Sequence, residues 1–156
     1  MSSITELKDT VNTKTLNLVL LSIATGGIYS ILWMYKNSPT IASITKKPIV
    51  DDTYVIWLAV CVGLGSAFAS TGEEAFDIIS GILTLASAVL YIVWAFKARS
   101  SLQDYALNVH KVDLRMNAFY TFIFHVYYVN YCINDLPEVK RKQEILTGTQ
   151  PTQVQS

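Results

Sequence analysis

The sequence contains little charge and little cysteine for its 156 residues. Charged residues make up 15% of the chain, whereas a soluble domain usually carries about 25%. Two cysteines exclude a disulfide-rich secreted scaffold. The 12 basic and 12 acidic residues leave no basic surplus to neutralise phosphates, which argues against nucleic acid as a partner. A hydrophobic fraction of 51% excludes a disordered chain. A membrane protein and an unusually apolar soluble protein remain.

The charges avoid four long segments of the chain. None of the 24 charged side chains lies in residues 15–35, 53–72, 78–96 or 116–134. A helix rises about 1.5 Å per residue, so each run matches the ~30 Å hydrocarbon core of a bilayer. Helices at the core of a soluble bundle would show charges on a water-facing side, and these runs show none. We therefore predict an all-α integral membrane bundle of four transmembrane helices in a domain covering residues 15–136.

The segments outside the four runs have patterns of their own. Residues 1–14 predict an N-terminal interfacial segment with a short helix, free disorder being the alternative, because Ser3 and Glu6 have capping-box spacing. Residues 97–115 predict an amphipathic helix that continues the third run or lies on the membrane surface. Residues 137–156 form a polar C-terminal tail, and the composition of its last ten residues predicts disorder.

Two of the uncharged runs end in aromatic residues followed by a lysine. Amphipathic aromatic side chains favour the headgroup level of a bilayer, and a lysine beyond them extends toward water. The two tryptophan-lysine pairs are 61 residues apart, which indicates either a weak internal repeat or coincidence. The predicted interfacial anchors are Tyr29, Trp33, Tyr35, Lys36, Tyr91, Trp94 and Lys97.

The fourth run contains several polar residues, and one of them is a histidine. His125 lies about halfway along it, where an ionisable side chain is costly and usually faces protein or water. We consider a candidate intramembrane polar site formed by His125, Tyr128, Asn130 and Asn134. Two interpretations stay open, a proton-sensing or ligand-binding site and a neutral histidine bonded to a neighbouring helix. A contact of Asn130 and Asn134 with Asn17 would clamp the first helix to the last.

Chemistry-bearing motifs give no indication of an enzyme. The sequence contains no Gly-rich phosphate loop, no HExxH motif and no nucleophile elbow. We therefore predict no catalytic, cofactor-binding or metal-binding residues, and a protein that is not an enzyme.

The orientation can be predicted from the basic residues. With four crossings, two loops carry seven bases, and the side that holds both termini and the acidic turn carries five. The positive-inside rule then favours cytoplasmic loops and external termini.

One stretch of the sequence is similar to a known family. The residues LLSIATGGIYSILWMYKNSPTI resemble the signature of the bacterial domain-of-unknown-function family 4234, in which Gly-Ile-Tyr precedes a Trp-x-Tyr-Lys ending. The matching positions here are Gly27, Ile28, Tyr29, Trp33, Tyr35 and Lys36. The resemblance implies a small multi-pass protein of the bacterial inner membrane without an assigned activity. It offers no catalytic residues to carry over.

These patterns favour one function and leave a second open. The first is a non-enzymatic accessory or scaffold subunit that packs against itself or a larger membrane complex. It would use the aromatic stripe of the fourth run or the helix at residues 97–115. The alternative is a small oligomeric transporter or channel with a polar site near His125. A membrane enzyme is the third hypothesis.

Overall fold

The computed structural model describes residues 3–148, and these residues form helices joined by turns and by two extended segments. The helices are α1 (Glu6–Val11), α2 (Thr15–Ala24), α3 (Ile28–Thr45), α4 (Asp52–Ala69), α5 (Glu74–His110) and α6 (Ala118–Leu146). No strand occurs in this part of the chain, so the predicted all-α class is confirmed there.

The first uncharged run, residues 15–35, forms two helices instead of one. The chain turns at residues 25–27 after α2, and α3 then leads back alongside it. Thr13, which precedes α2, lines one cavity together with Trp33 and Asn37 of α3. In a continuous helix, residues that are 24 positions apart would be separated by about 36 Å. Therefore α2 and α3 form an antiparallel hairpin.

α4 and α5 form the longest hairpin of the molecule. The Tyr54 hydroxyl donates to the Leu90 carbonyl at 2.6 Å, and the Ser80 hydroxyl donates to the Gly65 carbonyl at 2.7 Å. By length and composition, these two described helices are apolar enough to cross a membrane. Only 17% of the most apolar stretch of α4 and 22% of that of α5 is buried inside the protein, whereas the core helix of a soluble protein is mostly buried.

The fourth uncharged run, residues 116–134, is also interrupted. His125 lies inside α6 with a φ of 35° and a ψ of −109°, which are not helical values. The Tyr128 hydroxyl accepts a hydrogen bond from the backbone N–H of Asn117 at 3.0 Å. Along a straight helix these two residues would lie about 16 Å apart, beyond the reach of a tyrosine side chain. The helix therefore does not continue straight through His125.

More distant contacts show that α6 reverses its direction. The Gln143 side chain accepts from the Asp113 N–H at 3.0 Å and donates to the Lys111 carbonyl at 3.2 Å. Lys111 and Asp113 precede His125 in the chain, and Gln143 follows it. The parts of the chain before and after His125 therefore run antiparallel. We call residues 118–124 the first arm of α6 and residues 126–146 its second arm.

The structure does not show the predicted four transmembrane helices, because the first and fourth runs are each interrupted. α2 is about 15 Å long and the first arm of α6 about 10 Å, at 1.5 Å per residue. The hydrocarbon core of a bilayer is about 30 Å thick, so neither helix is long enough to cross it. An uncharged run of sufficient length does not guarantee an unbroken helix.

α3 and α5 run side by side in the same direction, so residues 61 positions apart lie at the same level. The hydroxyls of Ser30 and Tyr91 are 3.4 Å apart. The rings of Trp33 and Trp94 pack edge to face with centroids 6.1 Å apart. The Trp94 ring N–H also donates to the Ser38 hydroxyl at 2.9 Å.

The two ends of the molecule differ in width. The narrow end consists of the turn at residues 70–73 and the adjoining halves of α4 and α5. The broad end contains α1, α2, α3, α6 and the C-terminal part of α5. It also contains the extended segments at residues 46–51 and 111–117. The second of these segments returns along α5, since its Leu114 carbonyl accepts from Gln103. Most of the buried hydrophobic core lies at the broad end, including Leu7, Met34, Ile41, Leu102 and Leu136.

This topology separates the charges more sharply than the sequence prediction did. All 12 basic residues lie at the broad end, which contains α1, α2, α3, α6, both extended segments and the C-terminal part of α5. The narrow end carries only the acids Glu73, Glu74 and Asp77. The predicted division of seven bases against five assumed four crossings, and it is replaced by twelve against none.

The segments that flank the four runs agree with the sequence patterns over most of their length. α1 buries Leu7 and Val11, and α5 continues beyond the third run to His110. α6 continues through Pro137, and the Arg141 side chain lowers the pKa of Glu138 by hydrogen bonding to it. Residues 149–156 of the predicted disordered end lie outside the described residues.

Two asparagines tie the second arm of α6 to the start of α2. The side-chain amides of Asn130 and Asn134 donate to the Thr13 carbonyl at 3.0 and 2.9 Å. They also donate to the Thr15 hydroxyl at 3.1 and 3.3 Å. The sequence predicted a clamp between these elements through Asn17, but Asn17 is exposed and does not provide it.

Replacement of both asparagines should destabilise the protein. Combining Asn130→Ala with Asn134→Ala leaves the Thr13 carbonyl without these donors, which should cost about 1–3 kcal/mol. Thermal unfolding in detergent, followed by circular dichroism, measures the loss as a lower midpoint. Asn17→Ala is the matched control and should leave the midpoint unchanged. An unchanged midpoint in the double variant would contradict the clamp.

Candidate functional site

The tip of the α2–α3 hairpin is closed by hydrogen bonds of the turn itself. The Gly27 N–H donates to the Ser22 carbonyl at 2.7 Å. The Thr25 hydroxyl donates to the Leu21 carbonyl at 2.7 Å and accepts from the Tyr29 N–H at 2.9 Å. A single threonine side chain thus links the end of α2 to the start of α3. Such closure matters in an apolar region, where unsatisfied backbone groups cost several kcal/mol.

The reversal at this tip requires glycine. Gly26 and Gly27 have φ values of 61° and 93°, in a region that side-chain-bearing residues rarely adopt. A Cβ atom on either glycine would meet no atom within 4 Å. The requirement is therefore one of backbone conformation and not of space.

The tip of the α6 hairpin has no glycine and reverses at His125. This histidine adopts a positive φ of 35°, which is uncommon for a residue with a side chain. Its ring lies 6.0 Å from the ring of Tyr91 on α5, measured between centroids. The reversal is also supported by the Tyr128 and Gln143 contacts described above.

The two hairpin tips meet at a cavity of about 240 Å³. It is lined by Gly27, Ser30, Tyr91, His125, Val126 and Tyr127. The Ser30 hydroxyl donates to the Gly27 carbonyl at 2.6 Å, and Tyr91, His125 and Tyr127 also contribute polar side chains to the lining. These groups can hydrogen-bond a water molecule or a small polar ligand. Among the described residues, no group of three or more His, Cys, Asp or Glu side chains could hold a metal ion.

The structure distributes the four predicted polar-site residues over three places. His125 lines the cavity between the tips, and Tyr128 caps the first arm by accepting from the N–H of Asn117. Asn130 and Asn134 form the clamp to α2, several turns away from His125 along the second arm. The residues therefore do not form a single site.

The predicted interfacial anchors divide into buried and exposed residues. Trp33 and Trp94 are only 3% and 0% exposed, so their prediction as surface anchors is wrong. They face each other between α3 and α5 and stabilise the core. Tyr35, Lys36 and Lys97 are exposed, while Tyr29 and Tyr91 are half-buried.

Sequence reasoning missed Ser30 and Gly27 as cavity residues and missed the reversal of the first run. The signal was present in Thr25-Gly26-Gly27, because two consecutive glycines after a threonine favour a helix end and a turn. Nothing comparable surrounds His125, where the neighbouring residues are phenylalanine and valine.

Gly27→Ala should destabilise the hairpin tip through its backbone alone. An alanine at a φ of 93° carries a strain of about 1 kcal/mol or more, so the thermal midpoint should fall. Gly63→Ala is the matched control, because Gly63 lies inside α4 with equally open space around it. There alanine favours the helix by about 0.5–1 kcal/mol, and the midpoint should hold or rise. Shifts of equal sign and size in both variants would refute a glycine-dependent tip.

A known protein family matches part of the chain. The family model described as Domain of unknown function (DUF4234) matches residues 13–104. The matched region contains the α2–α3 hairpin, α4 and most of α5, and it ends before α6. No curated protein and no solved structure matches the chain. Since the model covers more than half of the sequence, the chain belongs to the DUF4234 family.

Proposed function

We propose that this chain is an integral membrane protein that crosses the bilayer twice, through α4 and α5. The α2–α3 and α6 hairpins enter the same leaflet and return without crossing it. The apolar side chains that these helices leave exposed support this arrangement, since Ile23 and Phe119 are 73% and 65% exposed. Such side chains are stable in contact with lipid and costly in contact with water.

The charges support a broad end in the cytoplasm. Twelve bases on one side and none on the other follow the positive-inside rule. Both termini are then cytoplasmic, and only the turn at residues 70–73 faces outward. The proposed location is the bacterial inner membrane, with the lipid bilayer as the first partner.

Single-cysteine labelling tests this topology. In a variant without Cys61 and Cys132, cysteines replace Thr71 at the narrow end, Asn108 on α5, or Lys142 on α6. An impermeant maleimide should label position 71 in intact spheroplasts, and positions 108 and 142 only after permeabilisation. Four crossings would instead place positions 71 and 142 on one side and position 108 on the other.

Within the membrane we propose a non-enzymatic accessory or scaffold function. The observation that carries it is the aromatic surface of the α6 hairpin, which combines residues of both arms. The rings of Tyr120 and Tyr128 lie 5.8 Å apart, and those of Tyr128 and Tyr131 stack at 6.4 Å. Tyr120, Phe124 and Tyr131 remain about half exposed. Rigid, amphipathic aromatic side chains are enriched where proteins bind each other. The surface fits a second copy of the chain or a larger membrane complex.

In-membrane photocrosslinking tests the scaffold proposal. A photoreactive phenylalanine analogue at Phe124 or Tyr131 should give a protein adduct, either a dimer or a larger complex. The same analogue at Leu64 on α4 is the matched control, because Leu64 is similarly exposed but lies outside the aromatic surface. It should label only lipid. Adducts with lipid alone at all three positions would refute the scaffold surface.

A small oligomeric transporter or channel is the second candidate. It is favoured by the cavity of about 240 Å³ at the hairpin tips, with the Tyr91 hydroxyl and the His125 ring in its wall. A proton or solute flux in proteoliposomes that His125→Gln abolishes, without loss of fold, would support it. An oligomeric transporter would also give a crosslinked dimer, so the flux measurement distinguishes the two candidates.

A further inference from the structure

Building on the two-span topology proposed above, we propose that the broad end acts as a wedge in the cytoplasmic leaflet. Its partner would be a lipid surface that is convex toward the cytoplasm. The inference goes beyond a scaffold function, because it assigns the protein a preference for one membrane shape.

The depth of the hairpins is the first step. α3 rises about 12 Å between Ile28 and Lys36, and the uncharged part of α5, residues 78–96, rises about 27 Å. Because Ser30 lies beside Tyr91, the tip of the first hairpin lies near residues 88–91 of α5. His125, at the tip of the second hairpin, also lies beside Tyr91. Both tips therefore end less than halfway across the bilayer.

The outer surfaces of the hairpins are suited to acyl chains. α2 exposes Leu16, Leu20 and Ile23, and the first arm of α6 exposes Phe119 and Phe122. These side chains lie in segments without a charged residue. Their contact with lipid is thus confined to the leaflet that the hairpins enter.

The difference between the leaflets follows from the number of helices in each. At the level of the hairpin tips, α2, α3 and the two arms of α6 lie beside α5. Between the hairpin tips and the narrow end, α4 and α5 are the only described helices. A helix is about 10 Å wide, so four additional helices occupy on the order of 300 Å² in one leaflet only. An inclusion that expands one leaflet is accommodated best where that leaflet is convex.

The charge of the broad end favours the same leaflet. Its 12 bases and nine acids give a net charge of +3, whereas the narrow end carries three acids and no base. The cytoplasmic leaflet holds anionic lipids, which attract basic segments near its surface. Charge and shape therefore select the same side of the membrane.

Sorting between flat and tubular membrane tests the wedge. Full-length protein with a fluorophore at its C-terminus is reconstituted into giant vesicles of phosphatidylcholine and phosphatidylglycerol, from which narrow tubes are pulled. An impermeant quencher identifies vesicles in which the broad end faces outward. In these the protein should be enriched in the tube by about twofold or more relative to the flat membrane. Where the broad end faces inward, it should be depleted.

A charged tip provides the matched variant. Leu20→Lys combined with Ile23→Lys places two ammonium groups on the exposed face of α2, where lipid contact becomes costly. The enrichment should fall to about half of the wild-type value or less, since one of the two hairpins no longer fills the leaflet. Leu107→Lys with Val109→Lys is the control, because both side chains are exposed on α5 beyond the uncharged run, and sorting should not change.

The outcomes separate the wedge from the topology on which it depends. Equal wild-type density in tube and flat membrane, with the cysteine labelling as expected for two spans, overturns the wedge and leaves the topology in place. Labelling that indicates four crossings overturns both. Retained far-ultraviolet circular dichroism in the charged variant shows that a loss of sorting is not a loss of fold.

Discussion

The unbroken length of a helix decides whether it can cross a membrane, and two backbone reversals set that length in this chain. The turn at residues 25–27 limits α2 to about 15 Å, and the reversal at His125 limits the first arm of α6 to about 10 Å. Among the described helices, only α4 and α5 are both long enough and apolar enough for a crossing. The common side of α1, of the C-terminal part of α6 and of the extended segments follows from these two reversals.

Reversals inside apolar segments are tolerated only where protein or a cavity surrounds the irregular backbone. Each tip is covered on one side by the other, because both line the same cavity beside Tyr91. The hydroxyls of Thr25 and Ser30 add hydrogen bonds to the Leu21 and Gly27 carbonyls at the first turn. Closer to the broad end, Trp33 and Trp94 pack against each other between α3 and α5 and hold the first hairpin against the α4–α5 hairpin.

The sequence predicted the helical class and a helix after the third run, because both depend on periodicity over many residues. Of the two placements that it left open for that helix, the structure has the continuation of α5, which ends at His110. The sequence also brought the start of α2 and the end of the fourth run together, although Thr13 and Thr15 replace Asn17 as the partners. The length of an uncharged run, however, indicates how hydrophobic the segment is and not whether its helix is unbroken. The reversal at His125 depends on contacts from far along the chain, and no local pattern indicates it. The aromatic-lysine ending predicts where Trp33 and Trp94 lie along their helices. It does not predict that their side chains face each other in the core.

The acidic turn at the narrow end has a consequence for biosynthesis. In the proposed orientation, the only charged groups that must pass through the bilayer are Glu73, Glu74 and Asp77. No folded segment and no basic side chain has to be moved outward. A bacterial membrane is negative inside, so the potential favours export of each carboxylate by about 2.3 kcal/mol per 100 mV. The energised membrane would therefore help to insert the α4–α5 hairpin.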